Sequence, residues 1–254
     1  MKTTLAELLA TGRPIVADGA MGTQLQRAGL EPGAPPELWN VSQPERVGAV
    51  HREYIRAGAQ IILTNSFGGS PARLALHEIE PRCEELVFAA ARLARLEADA
   101  APAKVLVAGS IGPTGQLLEP LGPLALDEAT AGYRRQAAAL LDGGADVLWI
   151  ETMSDLREVQ VAVEGTRQTG ADVPVVVTLS FDTRGRTIMG VSPAEAAVAL
   201  AALGVVAMGG NCGVGPSELA EAIGRMHDAV PGATLVAKPN AGLPRWEAGA
   251  AEYS

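Results

Sequence analysis

The chain has 254 residues, of which 48% are hydrophobic, and its formal net charge is −9. This length suits one large domain or two small ones with a sizeable core, and the composition excludes a disordered chain. The negative charge, which no basic cluster offsets, argues against a nucleic-acid partner or a membrane surface. Two cysteines cannot form a disulfide framework, and no apolar run is long enough to span a membrane. We therefore expect a soluble, cytoplasmic protein.

Apolar runs alternate with amphipathic stretches along the chain. The runs predict strands at 14–17, 59–63, 105–108, 147–150, 174–181, 205–208 and 234–237. The amphipathic stretches predict helices at 5–10, 72–76, 82–98, 128–141, 155–167 and 217–229. Two further helices have start signals: a Ser42–Glu45 capping box opens one that Gly58 closes, and Ser192–Pro193 opens one that ends at Leu203.

This order gives strand-then-helix units with nearly continuous apolar strands, as expected for a parallel sheet covered on both faces. Such units form an open doubly wound sheet or a (β/α)8 barrel of the TIM type. The first strand is not followed by a Gly-x-Gly-x-x-Gly motif, which favours the barrel. No strand pattern follows Pro244. We therefore predict a single barrel domain over residues 1–254 that is incomplete at its C-terminus, without the eighth unit.

Polar residues follow several predicted strands, and in a barrel all strand ends meet on one face. Asn and Asp are good turn formers, which explains any one of these positions, but Glu151 and Cys212 are not turn residues. Cys212 suggests a thiolate metal ligand or a nucleophile, although free Cys often only packs. Glu151 suits an ammonium group or a structural ion pair. Lys238 allows a Schiff-base reaction.

Other chemically active residues fall within predicted helices. His51, His77 and His227 are expected to pack or to lie on the surface rather than to bind a metal. Cys83 lies in a predicted helix, away from the strand ends, so we do not expect it to join Cys212.

Six short motifs at the strand ends occur in a recognisable order. They are Asp18-Gly19-Ala20-Met21-Gly22-Thr23, Thr64-Asn65-Ser66-Phe67-Gly68, Gly109-Ser110-Ile111-Gly112-Pro113, Glu151-Thr152, Gly210-Asn211-Cys212-Gly213 and Lys238-Pro239-Asn240-Ala241-Gly242. Together they resemble the homocysteine-binding domain of the homocysteine S-methyltransferases. That family includes the first module of cobalamin-dependent methionine synthase and the betaine–homocysteine methyltransferases.

The resemblance implies a barrel that holds one zinc ion with three Cys thiolates and leaves the fourth position to the homocysteine sulfur. It makes Cys212 a zinc ligand and the catalytic cysteine, and places Asn240 where some members have an oxygen ligand. The implied substrate-binding residues are Asp18, Gly19, Met21, Thr64, Asn65, Glu151 and Asn211. The family's remaining two ligands form a Gly-Gly-Cys-Cys-Gly motif after the eighth strand, so we expect two further Cys ligands beyond Ser254, in a complete chain of about 300 residues.

The implied reaction is transfer of a methyl group to the zinc-bound thiolate of homocysteine, which gives methionine. The donor stays open between betaine, methylcobalamin or methyl-folate, and another methyl donor; a corrinoid or folate would come from a separate module. Betaine would need an aromatic cage, for which Trp39, Phe67 and Trp149 are the candidates. Two alternatives remain, a Schiff-base lyase that uses Lys238 and a non-catalytic barrel fragment that binds an amino acid. An oligomer is compatible with the sequence.

Overall fold

The computed structural model describes residues 4–213, 215–240, 245–247 and 250–252. Its strands are β1 Ile61–Leu63, β2 Leu106–Ile111, β3 Val147–Met153, β4 Val175–Leu179, β5 Ala207–Cys212, β6 Leu235–Pro239, β7 Arg245–Glu247 and β8 Ala250–Glu252. Its α-helices are α1 Leu5–Leu9, α2 Gly22–Arg27, α3 Trp39–Ser42, α4 Pro44–Arg56, α5 Pro71–Leu74, α6 Cys83–Asp99, α7 Leu126–Gly143, α8 Leu156–Arg167, α9 Pro193–Ala202 and α10 Pro216–Ala229. Parallel strands alternate with helices, which confirms the TIM-type fold that the sequence predicts.

The chain divides into two compact units. The first unit comprises Met1–Trp149 and Val161–Pro174, and the second unit comprises Ile150–Gln160 and Val175–Ser254. In the first unit β1 pairs in parallel with β2, with Ile62 opposite Val107. The predicted first strand is reduced to a single parallel bridge between Ala17 and Ile61. These strands are buried and form the core of the unit with the helices packed against them.

In the second unit β4, β5 and β6 are parallel neighbours. Thr178 lies opposite Gly209, and along the next pair Asn211 lies opposite Lys238 and Cys212 opposite Pro239. The end of β3 belongs to the same unit, where the backbone N–H of Ser180 donates to the Met153 carbonyl at 2.9 Å. The carboxyl ends of these strands therefore lie side by side, as a parallel sheet requires.

Two predicted helix starts have different outcomes. At α9 the Ser192 side chain accepts from the Glu195 backbone N–H, the Glu195 carboxylate reaches back, and Pro193 occupies the first turn. The predicted capping box at Ser42 is wrong, because Ser42 ends α3 and its hydroxyl donates to the Leu38 carbonyl at 3.0 Å. Helix α4 begins at Pro44 instead, with no side-chain cap.

The segment after β6 also differs from the prediction. No strand is predicted after Pro244, yet β7 and β8 pair with each other in an antiparallel ladder. They form a separate two-stranded sheet, so they do not supply an eighth parallel strand.

None of the described helices is long and apolar enough to cross a membrane.

Candidate active site

Four polar residues come together at the ends of β3 and β5 in the second unit. The Asn211 side chain lies between Glu151 and Cys212, with its Nδ2 atom 3.3 Å from Glu151 Oε2 and 3.3 Å from Cys212 Sγ. Asn211 is 1% exposed and Glu151 is 8% exposed, while Cys212 is half-buried. The structure thus brings together three of the predicted site residues, one of them a carboxylate and one a thiol.

Thr152 is the fourth member of this cluster, and the sequence analysis did not select it. Its backbone N–H donates to Asn211 Oδ1 at 2.8 Å, and its hydroxyl oxygen accepts from Asn211 Nδ2 at 2.7 Å. The same hydroxyl lies 3.9 Å from the Cys212 sulfur. Thr152 therefore connects the end of β3 to the sulfur through both its backbone and its side chain.

The backbone at this cluster is strained. Thr152 has a φ of 63° and Cys212 a φ of 56°, in the left-handed region that non-glycine residues rarely adopt. The conformation is least favourable for a β-branched residue such as Thr152. Gly213 continues the left-handed turn with a φ of 68°, and a side chain there would overlap the Phe181 carbonyl oxygen. Strain of this kind persists only where surrounding contacts impose it, and it concentrates at functional sites.

The surroundings of Cys212 determine whether its thiol is protonated. Burial and the nearby Glu151 carboxylate raise the pKa of Cys212, and hydrogen bonds from Thr152 and Asn211 and the charge of Lys238 oppose that rise without cancelling it. The thiol is therefore protonated near neutral pH in this environment. A metal cation bound to the sulfur would reverse this balance, because it stabilises the thiolate directly.

The last predicted member, Asn240, follows β6. Its Nδ2 atom donates to the Gly213 carbonyl at 3.4 Å, which places its amide next to the turn that carries Cys212. The adjoining Ala241 and Gly242 of the same motif lie outside the described residues. Glu151, Asn211, Cys212 and Asn240 all belong to the second unit.

The predicted residues of the first unit lie at its own strand ends. Asp18 is buried beside β1, and its Oδ2 atom accepts from the Leu63 backbone N–H at 2.7 Å. A side chain at Gly19 would collide with the ring of Tyr54, whose hydroxyl donates to the Ala20 carbonyl at 2.9 Å. Met21 packs against the cluster of Leu25, Leu30, Val47 and Val50. Glycine at position 19 therefore lets Tyr54 fix the turn that carries Asp18.

Asn65 is held by a segment that precedes it in the sequence. Its Nδ2 atom donates to the Pro36 carbonyl at 2.8 Å and to Asn40 Oδ1 at 2.9 Å. In return Asn40 Nδ2 donates to the Asn65 carbonyl at 2.8 Å and to the Leu86 carbonyl at 3.1 Å. The Asn65 side chain thus works inside the protein, in a reciprocal pair with Asn40, a residue that the sequence analysis did not select.

Thr64 belongs to a second internal network in the same unit. Its hydroxyl lies 2.6 Å from the Ser66 hydroxyl and accepts from the Ser110 backbone N–H at 2.9 Å. The Gln136 side chain of α7 donates to the Ser66 carbonyl at 2.7 Å. These bonds connect the loop that follows β1 to the end of β2 and to α7.

Glu37 is a buried carboxylate in the first unit that the analysis also did not select. It lies in the short 3-10 helix Pro36–Leu38, and its Oε1 atom accepts from the Gly68 backbone N–H at 2.7 Å. Burial raises the pKa of Glu37, and the Gly68 hydrogen bond and the charges of Arg73 and His77 only partly oppose the rise. Glu37 therefore fixes the Phe67–Gly68 turn from within.

Comparison with known proteins places the chain in a family. A family model described as homocysteine S-methyltransferase matches residues 15–254. The chain belongs to the homocysteine S-methyltransferase family. Methionine synthase of Mycobacterium leprae is 37% identical over 99% of this chain and 22% of its own length, and that of Mycobacterium tuberculosis is 35% identical over the same shares. The chain thus spans about a fifth of the length of these curated relatives.

A solved structure of the family has the same fold. The metallated form of the homocysteine methyltransferase MmuM from Escherichia coli superposes with a TM-score of 0.79 and 28% identity, over 92% of this chain and 86% of that chain. Its oxidised form gives a TM-score of 0.78. The resemblance found in the strand-end motifs is therefore confirmed at the level of family and fold.

The described residues of this homocysteine S-methyltransferase chain do not form a complete metal site. Among them, no group of three or more His, Cys, Asp or Glu side chains is placed to hold a metal ion. Cys83 is buried at the start of α6, where its sulfur donates to the Gly69 carbonyl at 3.1 Å, and burial raises the pKa of its thiol to about 12. Cys212 is therefore the one thiol of this chain that is placed at a strand end.

The three candidate cage aromatics are engaged differently. The Arg46 guanidinium lies 5.1 Å from the centre of the Trp39 ring, so that ring is already covered by a cation. Trp149 is buried in β3. Phe67 is 36% exposed. Of these three residues, Phe67 is the most exposed and Trp39 is half-buried.

Proposed function

We propose that the protein containing this chain transfers a methyl group to the sulfur of homocysteine and so forms methionine. The observation that carries the proposal is the strained cluster of Glu151, Thr152, Asn211 and Cys212, found in a chain of the homocysteine S-methyltransferase family. The cluster sets a carboxylate and a thiol on either side of one amide. This pairing of charge and sulfur suits an amino acid that has an ammonium group at one end and sulfur at the other.

The chemical step is a direct displacement. An electron pair of the homocysteine thiolate forms the new sulfur–carbon bond while the bond from the methyl carbon to its donor breaks, and the donor leaves with that electron pair. The thiol proton is released to solvent before the transfer. Glu151 would hold the substrate ammonium, because a carboxylate that is largely buried attracts a cation more strongly than one in water. Asp18, Gly19, Met21, Thr64 and Asn65 remain proposed contacts for the amino-acid end of the substrate.

We assign zinc as the metal of the complete protein. A thiolate is a preferred zinc ligand, so the chemistry of Cys212 fits, with Asn240 as a candidate oxygen ligand next to it. The remaining ligands must come from residues other than those described, since Cys83 is buried in α6. Bound zinc would stabilise a sulfur ligand as its thiolate at neutral pH.

The aromatic residues favour one class of donor over another. A quaternary ammonium donor such as betaine is recognised by several aromatic faces, but Trp39 is covered by Arg46 and Trp149 is buried. We therefore favour a methylated corrinoid or folate, presented by a separate module. The relatives named methionine synthase, which are several times longer than this chain, support this choice.

The two cysteines offer a matched test in the complete protein. Cys212→Ala should abolish both zinc retention and methionine formation from homocysteine, whereas Cys83→Ala should leave zinc content unchanged. Metal analysis and a methionine assay with betaine, or with methylcobalamin, measure both. Full zinc content in the Cys212→Ala protein would remove Cys212 from the metal site, and a wild-type protein that fails to methylate homocysteine with either donor would refute the proposed function.

A separate trapping experiment tests the lyase alternative. Lys238 lies opposite Asn211 in the β5–β6 ladder, and its positive charge opposes the rise in the pKa of Cys212. That position gives Lys238 an electrostatic role in the proposed mechanism, without a covalent bond to the substrate. Borohydride trapping of Lys238 with a carbonyl substrate would support the Schiff-base reaction instead.

A further inference from the structure

The side chain of Asn211 has its hydrogen-bonding capacity taken up within the protein. Its Oδ1 atom accepts from the Thr152 backbone N–H at 2.8 Å. Its Nδ2 atom has three acceptors within reach: Thr152 Oγ1 at 2.7 Å, Glu151 Oε2 at 3.3 Å and Cys212 Sγ at 3.3 Å. An amide nitrogen carries two N–H groups, so these acceptors already exceed its donors. A buried amide in this state is suited to holding its neighbours rather than to binding a substrate.

We infer that Asn211 is a positioning residue that fixes the spacing between the Glu151 carboxylate and the Cys212 sulfur, and thereby selects the length of the substrate. The inference rests on the proposed function, in which Glu151 holds the substrate ammonium and the substrate sulfur reacts beside Cys212. Homocysteine has one methylene more than cysteine between these two groups. A fixed spacing therefore suits one of the two amino acids and strains the other.

The backbone is strained at both ends of this carboxylate-to-sulfur spacing, which indicates that contacts impose the spacing. Thr152 adjoins Glu151 and has a φ of 63°, and Cys212 has a φ of 56°. A left-handed backbone is unfavourable for a non-glycine residue, so both residues would relax if nothing held them. The Asn211 amide connects these two strained residues through the Thr152 backbone N–H and the Cys212 sulfur. Loss of the amide should therefore let both ends move.

The test uses the complete, zinc-loaded protein with Asn211→Ala and Thr152→Val. Each variant is assayed with homocysteine and with cysteine as methyl acceptor, and the affinity for both amino acids is measured by calorimetry. We expect kcat/KM for homocysteine to fall about 100-fold in Asn211→Ala, since small misplacements of reacting groups have effects of this size. We also expect the preference for homocysteine over cysteine, about 100-fold for one methylene, to fall to about tenfold in both assays.

Two further variants separate positioning from general stability. Thr152→Ser keeps the hydroxyl that accepts from Asn211 and should retain the homocysteine preference within about threefold. Thr166→Val removes a buried hydroxyl that donates to the Val163 carbonyl at 2.7 Å in α8, in a segment that belongs to the first unit and makes no bond to this cluster among the described residues. It should lower the unfolding temperature and leave the preference unchanged. If Asn211→Ala does not fold, Thr152→Val decides the question.

The outcomes distinguish this inference from the proposed function. Wild-type protein that methylates homocysteine, with Asn211→Ala and Thr152→Val variants that keep the full preference, would overturn the positioning role and leave the function standing. Wild-type protein that neither binds nor methylates homocysteine would overturn the function, and the inference with it. A reduced preference in both variants, with rescue in Thr152→Ser, would establish the positioning role.

Discussion

The two units use polar residues at their strand ends in different ways. In the first unit, Asp18, Thr64 and Asn65 bond to backbone groups and to neighbouring polar side chains. In the second unit, the Asn211 amide contacts a carboxylate and a thiol, and two of its neighbours have left-handed backbones. Sequence position alone does not separate these cases, because both sets follow apolar strands.

The difference lies in what the hydrogen bonds hold. Bonds to backbone carbonyls, such as those of Asn65, stabilise loops, and the residues that they hold need no special reactivity. The bonds of Asn211 hold a buried carboxylate and a thiol whose pKa is raised, and groups with a perturbed pKa such as this thiol concentrate at functional sites. Replacing Asn65 should therefore mainly reduce stability, whereas replacing Asn211 should mainly reduce function.

The turn after Cys212 should show the largest effect on stability. Gly213→Ala forces a side chain into a left-handed position against the Phe181 carbonyl oxygen. We expect it to lower the free energy of unfolding by about 4 kcal/mol, from the left-handed backbone and from overpacking. Urea denaturation followed by circular dichroism measures this change.

Gly232→Ala is the matched control. Gly232 also has a positive φ, 86°, but a side chain there would meet none of the described residues within 4 Å. The Gly232→Ala substitution should lower the free energy of unfolding by about 1 kcal/mol, because only the backbone conformation is unfavourable for alanine. Equal losses in the two variants would show that the Phe181 contact does not constrain the turn that carries Cys212.

A second effect concerns acid stability and arises from His51 in α4. The residue is fully buried, and neither of its ring nitrogens has a hydrogen-bond partner within the described part of the chain. Burial lowers the pKa of His51 from 6.5 to about 4. Between these two pH values the unfolded chain therefore binds a proton at His51 that the folded chain does not bind. Stability should therefore fall as the pH drops from 6.5 towards 4, by about 3 kcal/mol in total.

His51→Leu should remove most of this acid sensitivity, since leucine buries no titrating group. The exposed His227 of α10 provides the control, and His227→Gln should keep the wild-type dependence. Unfolding free energies measured between pH 4 and 7 test the difference. An unchanged pH slope in His51→Leu would show that other groups cause the acid sensitivity.

Periodicity predicts most of the fold here, because apolar strands and amphipathic helices carry their own signals. It also predicts that Glu151, Asn211 and Cys212 come together, since parallel strand ends share one edge. The role of Thr152 could not be predicted, because its φ is set by contacts with β5 that lie about 60 residues away in sequence. The pairing of Asn65 with Asn40 was hidden for the same reason.

The Asn65 pair provides the third prediction, in which stability and function separate. Asn65→Ala leaves Asn40 Oδ1 and the Pro36 carbonyl without the donor they now have. We expect a loss of about 2 kcal/mol in unfolding free energy, the usual cost of abandoned buried polar groups. Asn240→Ala, which removes a single bond of 3.4 Å from a half-buried residue, should cost less than about 0.5 kcal/mol.

The effect on substrate length completes this comparison. Asn65→Ala should keep the preference for homocysteine over cysteine, whereas Asn211→Ala should reduce it. The methyl-transfer assay with homocysteine and with cysteine as acceptor measures this preference in both variants. A reduced preference in Asn65→Ala would place the first unit among the determinants of substrate length and blur the distinction between the units.

The smallest expected effect concerns the buried carboxyl of Glu37. Its folded pKa is raised above the unfolded value of 4.5, so the folded state binds the proton more tightly than the unfolded state does. The stability that this group contributes is therefore complete below pH 4.5 and is lost as the pH rises through the folded pKa. Glu37→Gln keeps an oxygen that can accept from the Gly68 backbone N–H but cannot ionise, so it should raise stability at pH 7 by about 1 kcal/mol and be neutral at pH 4. The exposed Glu218→Gln in α10 should change neither value. A Glu37→Gln protein that is less stable than wild type at pH 7 would mean that the ionised carboxylate stabilises the fold. Glu37 would then resemble the charged residues of the second unit rather than the internal hydrogen-bond network of the first.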